Sequence, residues 1–182
     1  MNSRRNETAL MEPGELQALM DTYGDDIWNY AYFLSGSRSA ADDIAQETFI
    51  RAYKYMGSFR GDASVKTWLL RIARGRFLTF RSSSFIRRVT LQDTPEPSGA
   101  ERSAEEEFLR QSLHGDVWAL VLRLPRKDRE VLMLHAHYGI SMEEMAATLG
   151  LSLSAVKSRL QRARRKAAQG WEKELKDDGQ QQ

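Results

Sequence analysis

Three observations predict an all-α chain built as two small helical domains. Apolar residues recur at helical spacing almost throughout, and no stretch alternates in the manner of a strand. The pattern lapses once, between about Ser82 and Glu107, where two prolines and a glycine gather with six acidic residues. With 182 residues in all, each half has room for a modest core.

The first domain is expected at 14–83. Its first helix fits 14 to 35, with Leu16, Leu19, Met20, Tyr23, Ile27, Tyr30 and Leu34 along one stripe and Ser35 and Gly36 at its end. The second fits about 40 to 56. Ser39 is the expected cap, and Asp42 and Asp43 fall in the first turn, where the positive helix end favours them. The third spans about 63 to 83, placing Leu69, Ile72, Ala73, Phe77 and Phe80 on one face. Arg76 falls inside that apolar stripe, next to Gly75. A flexible acidic linker is expected at 84–107.

The second domain is expected at 108–172. Leu109, Leu113, Val117, Leu120, Val121 and Leu124 lead to Pro125, and Val131, Leu132, Leu134 and Tyr138 lead to Gly139. Ser141 and Glu144 then form a capping box, so a helix begins there and stops at Gly150. Ser152 caps another, which makes a helix-turn-helix over about 142–161. The polar tail DDGQQQ is expected to fray.

The formal net charge of +2 hides opposed blocks. Residues 60–88 hold eight basic groups and one acidic group, 89–107 hold one and six, and 157–166 hold six basic groups and none acidic. Two cationic segments divided by an acidic one imply two separate contacts with a polyanion. There is no cysteine, which excludes disulfides, thiolate metal sites and a thiol nucleophile, and fits a reducing compartment. The first residues lack the apolar run of a signal peptide, and no segment has the length and apolarity of a membrane span, so a cytoplasmic chain is expected.

Each cationic segment has its own chemistry. On the last helix Val156, Leu160, Ala163 and Ala167 share one side, while Ser154, Ser158, Arg162 and Arg165 occupy the other, flanked by Arg159 and Lys166. Such a helix can enter a major groove, where arginine reads guanine and other cations neutralise phosphate. The loop before the third helix and its arginines, Arg60, Lys66, Thr67, Arg71, Arg74 and Arg81, interleave with aromatic residues as unpaired bases require. Phe77, Phe80 and Trp68 are assigned mostly to the core.

The second helix has an apolar side of Ala45, Thr48, Phe49, Ala52 and Met56, opposed by Asp43, Gln46, Glu47, Ile50 and Lys54. Ile50 is stranded among polar groups, which points to a protein contact. From the residues alone two other readings stand: an ordinary duplex-binding regulator, and a metal enzyme using Asp42, Asp43 and Glu47. His135 and His137, two apart on a helix, make a poor metal pair. No phosphate loop or nucleophile–base pair is present, and no cofactor is expected.

These motifs together resemble the extracytoplasmic-function (ECF) RNA polymerase sigma factors of the sigma-70 family. Asp42 through Tyr53 looks like the region 2 helix that docks on core polymerase, with Asp43, Gln46, Glu47, Ile50 and Arg51 as the implied contacts over about 42–55. Phe59-Arg60-Gly61, Thr67-Trp68-Leu69 and Arg71-Ile72-Ala73 look like the segment, about 59–83, that melts and reads the minus-ten element. Leu124-Pro125, Ser141 through Gly150 and the run from Val156 to Arg164 look like region 4, which reads the minus-thirty-five element through Ser154, Lys157, Ser158, Arg159, Arg162 and Arg165. Gly75 and Thr79 stand where the family usually has asparagine and aspartate, and Ser154-Ala155 where it commonly has Gly-Thr. The resemblance implies a non-enzymatic promoter-specificity subunit. Its implied partners are core RNA polymerase (beta and beta-prime subunits), promoter DNA and a cognate anti-sigma factor, often membrane-bound.

Overall fold

The computed structural model describes residues 12–90 and 116–178. Every described element is helical, and the chain packs as two units, divided between Arg87 and Arg88.

In the first unit α1 covers Pro13–Ser35. Glu12 and Glu15 form its capping box, with the Glu12 amide donating to Glu15 Oε2 at 3.0 Å, and Pro13 fills a position where the missing N–H costs nothing. Gly36, at φ 70°, ends it as predicted, donating to the Tyr32 carbonyl at 2.7 Å. Burial along α1 is uneven. Leu16, Leu19 and Tyr23 are only half-buried and Met20 is exposed, whereas Ile27 and the whole run Tyr30–Leu34 are buried. A run of consecutive buried residues means that the C-terminal part of the helix is covered on more than one side, which a single stripe does not predict.

Helix α2 covers Arg38–Tyr55. Its cap is Ser37, not Ser39, because Ser37 has the extended backbone of a cap and its hydroxyl accepts from the Ala40 amide at 3.4 Å. Asp42 therefore lies beyond the first turn and has another task. It accepts the Trp28 indole N–H at 2.7 Å, which ties α2 to α1, and Trp28 stacks on Tyr32. A 3₁₀ turn, Met56–Ser58, follows.

Helix α3 covers Val65–Thr90, seven residues beyond its predicted end, so 84–90 is helical rather than linker. Ser64 begins it by accepting from the Thr67 amide at 3.0 Å. Leu69, Leu70, Ala73 and Phe77 are buried, and Phe80, expected in the core, is 38% exposed. Gly75 is helical and exposed, with open space where a Cβ would stand. Glycine inside a helix is less favourable than alanine by about 0.5–1 kcal/mol. Gly75→Ala is thus expected to raise the thermal unfolding midpoint, as followed by circular dichroism.

In the second unit α4 is Asp116–Arg123, α5 is Arg126–Leu132, α6 is Met142–Leu149 and α7 is Leu153–Asp178. Pro125 separates α4 from α5 as expected. The predicted continuation to Gly139 is wider than an α-helix: Met133–His137 form a π-helical turn, with the Tyr138 amide donating to the Met133 carbonyl at 3.0 Å. Helix α7 passes through 172 and runs to Asp178, beyond the predicted domain end. Gly170 lets it lie against α4, since a Cβ there would meet Leu120 Cδ1 at 2.7 Å. The core of this unit joins Leu120, Val131, Met133, Leu134, Met145, Val156 and Leu160. The acidic stretch of the expected linker, 91–107, the predicted apolar positions Leu109 and Leu113, and the last residues of the polar tail lie outside the described residues.

Candidate protein and nucleic-acid interfaces

The outward face of α2 follows from its inward one. Ala41, Ile44, Ala45, Thr48, Phe49 and Ala52 are buried at helical spacing, and Thr48 satisfies its hydroxyl by donating to the Ile44 carbonyl at 2.7 Å. Asp43, Gln46 and Glu47 are left exposed, and Ile50 among them is 41% exposed. Arg51 is half-buried at the edge of this face. Glu47 Oε2 lies 3.8 Å from Arg51 Nε and also 3.8 Å from Arg76 Nη1. That second pair accounts for Arg76 in the apolar stripe of α3. Its side chain is 15% exposed and reaches the Glu47 carboxylate. Two of the three carboxylates of the metal reading have other neighbours, Asp42 the Trp28 indole and Glu47 two arginines, while Asp43 is exposed. Among the described residues no three His, Asp or Glu side chains gather in a way that could hold a metal.

The loop between the 3₁₀ turn and α3 places Phe59 against Trp68, with ring centroids 5.3 Å apart, and turns at Gly61, φ 74°. Arg60 and Arg81 are exposed. Arg71 and Arg74 are half-buried, and both make contacts within the protein. Two residues predicted for this surface have internal roles. Thr67 is 1% exposed, its hydroxyl 2.9 Å from that of Ser64, so it shapes the start of α3 rather than facing a ligand. Lys66 Nζ lies 2.7 Å from Asp26 Oδ2 of α1, with its side chain 34% exposed. Arg51, Tyr55, Trp68, Arg71, Gly75 and Arg76 line a cleft between α2 and α3. Tyr55, 51% exposed, and Arg76 were missed by the sequence reading. The alternation of aromatic and basic residues that singled out Trp68 and Arg71 begins earlier, at Arg51 and Tyr55.

The helix-turn-helix is α6 and α7. The Ser141 hydroxyl accepts from the Glu144 amide at 3.2 Å, Glu144 Oε2 accepts from the Ser141 amide at 3.3 Å, and Gly150 turns the chain at φ 66°. Ser152 caps α7, accepting from the Ala155 amide at 3.2 Å. Val156, Leu160 and Ala163 are buried, while Ser154, Lys157, Ser158, Arg162 and Arg165 are exposed and Arg159 is half-buried. The predicted division of this helix into an inner and a cationic side holds at these positions. Lys166, predicted to flank the cationic side, instead bonds Asp128 of α5 at 2.5 Å. Asp128 is buried, so this cation offsets an interior charge.

Comparison with known proteins places both units. Residues 19–84 match the family described as Sigma-70 region 2, and 114–166 match Sigma-70, region 4. The ECF RNA polymerase sigma factor BldN of Streptomyces coelicolor is 32% identical over 162 residues, which are 86% of this chain and 61% of that protein. The RNA polymerase sigma factor YlaC of Bacillus subtilis is 33% identical over 160 residues, 82% of this chain and 87% of that one. Among solved structures, the sigma factor RpoE of Bartonella quintana, crystallised with the anti-sigma factor NepR, has the same fold. Its TM-score is 0.65 at 22% identity, covering 87% of this chain and 97% of that one.

Proposed function

The chain belongs to the ECF RNA polymerase sigma factors of the sigma-70 family, and from that premise we propose how its two units divide the work of starting transcription. It is a promoter-specificity subunit. It binds core RNA polymerase, recognises the minus-thirty-five and minus-ten elements and enables DNA-templated initiation. The observation that carries this reading is the combination, in one chain, of a half-exposed Ile50 ringed by polar groups on α2 and a helix-turn-helix whose second helix exposes Lys157, Arg162 and Arg165.

On this reading Asp43, Gln46, Glu47, Ile50 and Arg51 dock on the polymerase. Ile50 supplies the apolar centre that a polar surface otherwise lacks. Arg60, Arg71, Arg74 and Arg81 serve the minus-ten element, with Phe59 and Trp68 as the aromatic floor, Thr67 supporting the helix start from inside and Lys66 tying that start to Asp26 of α1. Ser154, Lys157, Ser158, Arg159, Arg162 and Arg165 serve the minus-thirty-five element. The family is one of non-catalytic initiation factors, and strand opening here draws on binding energy placed on unpaired bases rather than on bond chemistry. The linker, at up to roughly 3.3 Å per residue, is long enough to pass one DNA turn of about 34 Å. Among the described residues no helix is long and apolar enough to cross a membrane, and the work proposed is cytoplasmic. Regulation by an anti-sigma factor follows by analogy with the sigma factor crystallised with NepR, and a membrane-bound regulator would tie initiation to events at the cell surface.

The test is runoff transcription from a promoter carrying both elements, using core polymerase with and without this chain. Initiation only in its presence is expected. Arg162→Ala should lower initiation about tenfold, since one bidentate base contact is worth about 1–3 kcal/mol. Equal initiation without the chain overturns the reading.

A further inference from the structure

The α2 face assigned to docking borders the cleft against α3, and Arg51 stands at the edge of both. Glu47 projects from the docking face, yet its Oε2 is the common neighbour of Arg51 Nε and Arg76 Nη1, each at 3.8 Å. Both arginines line the cleft, a concavity of about 410 Å³ that also presents Tyr55, Trp68 and Arg71. One outward carboxylate thus offsets two of the three guanidinium groups on an aromatic, anion-complementary surface.

The pairing is loose. At 3.8 Å neither contact is a hydrogen bond, and Arg51 Nε is closed off from solvent with no hydrogen-bond partner. A carboxylate held this loosely can be drawn away without breaking a hydrogen bond. Glu47 itself is 53% exposed and so open to a cation brought by a docking partner.

We propose that Glu47 is an electrostatic latch: in the free protein it neutralises Arg51 and Arg76 at the cleft, and a docking partner that takes its carboxylate hands both cations to the phosphates of single-stranded DNA. The latch rests on the docking and minus-ten assignments above and adds a direction to them, because occupancy of one site raises the anion affinity of the other. Such coupling is reciprocal, so DNA in the cleft would strengthen docking equally. Gly75 has no side chain to fill the cleft between these groups.

The experiment needs no polymerase. Binding of a short fluorescein-labelled oligothymidylate to the full chain is followed by anisotropy across a salt series for wild type, Glu47→Gln, Glu47→Gln with Arg76→Ala, and Asp25→Asn. Asp25 is exposed on α1, and its variant removes an equal charge from the same unit. Glu47→Gln is expected to bind at least about threefold tighter, with a salt slope steeper by about 0.7 for each additional phosphate neutralised. The double variant should lose most of the gain, and Asp25→Asn should show little of it. No gain in a Glu47→Gln protein of wild-type helicity overturns the latch, as does an equal gain from Asp25→Asn or a gain that survives Arg76→Ala. Failure of the sigma-factor reading would appear separately, as no polymerase-dependent runoff by the wild type.

Discussion

Ile50→Asp is expected to abolish polymerase-dependent transcription while leaving the protein folded. Ile50 is 41% exposed on a helix whose inward side is filled by Ala45, Thr48, Phe49 and Ala52, so its replacement opens no cavity. The stability cost is small: helix propensity, below about 0.7 kcal/mol, and the loss of a partly covered apolar side chain. Docking is affected far more. Ile50 is the apolar member of a face otherwise made of Asp43, Gln46, Glu47 and Arg51, and an anchor at the centre of an interface contributes about 2 kcal/mol or more. Aspartate also adds a second desolvated carboxylate beside Glu47. Core binding should fall at least about thirtyfold, with each 1.4 kcal/mol counting for a factor of ten. A titration of labelled chain with core polymerase measures that loss, and an unchanged thermal midpoint separates it from unfolding. Normal binding by the folded variant would remove α2 from the docking role.

Much of the architecture could be read from the sequence where the determinants are local. The Ser141–Glu144 box and Gly150 lie within one helix and its ends, and they fold as their spacing predicts. The polar face of α2 follows from the same periodicity that buries Ala45 and Phe49. Where the reading of the cations failed, the deciding partner lies far along the chain. Lys66 and Lys166 each read as one more cation in a basic segment, but Asp26 of α1 and Asp128 of α5 claim them. No count of charges within a helix can reveal a carboxylate on another. Arg76 looked misplaced for the same reason, because Glu47, which it reaches, belongs to a different helix. Thr67 was drawn outward by its basic neighbours, although a threonine three residues after Ser64 is equally suited to closing a helix start. Ser37 and Ser39 compete for one cap, and the turn at Gly36 decides between them.

Val156→Asp is expected to have the largest effect on the second unit and to uncouple it from the first. Val156 is fully buried on the inner side of α7, in a core shared with Met145 of α6 and Leu134 of the π-helical turn. A carboxylate there gains a little from lying in the first turn of α7, about 0.3–1 kcal/mol at an exposed site. Burying it without a partner costs several kcal/mol. A unit of roughly sixty residues, at about 0.05–0.15 kcal/mol per residue, has only some 3–9 kcal/mol to lose. Unfolding of α5 to α7 is therefore expected, seen as lost amide protection there with protection in α1 to α3 retained. Val156→Ala, which trims the same side chain without adding charge, should keep the fold at reduced stability. The functional consequence is selective. Core binding through Ile50 should persist in Val156→Asp, whereas promoter binding that depends on the minus-thirty-five element should be lost, since Arg162 and Arg165 no longer stand on one helical face. Loss of both activities together would mean that the first unit needs the second to fold, and retention of both would mean that α7 does not read the promoter.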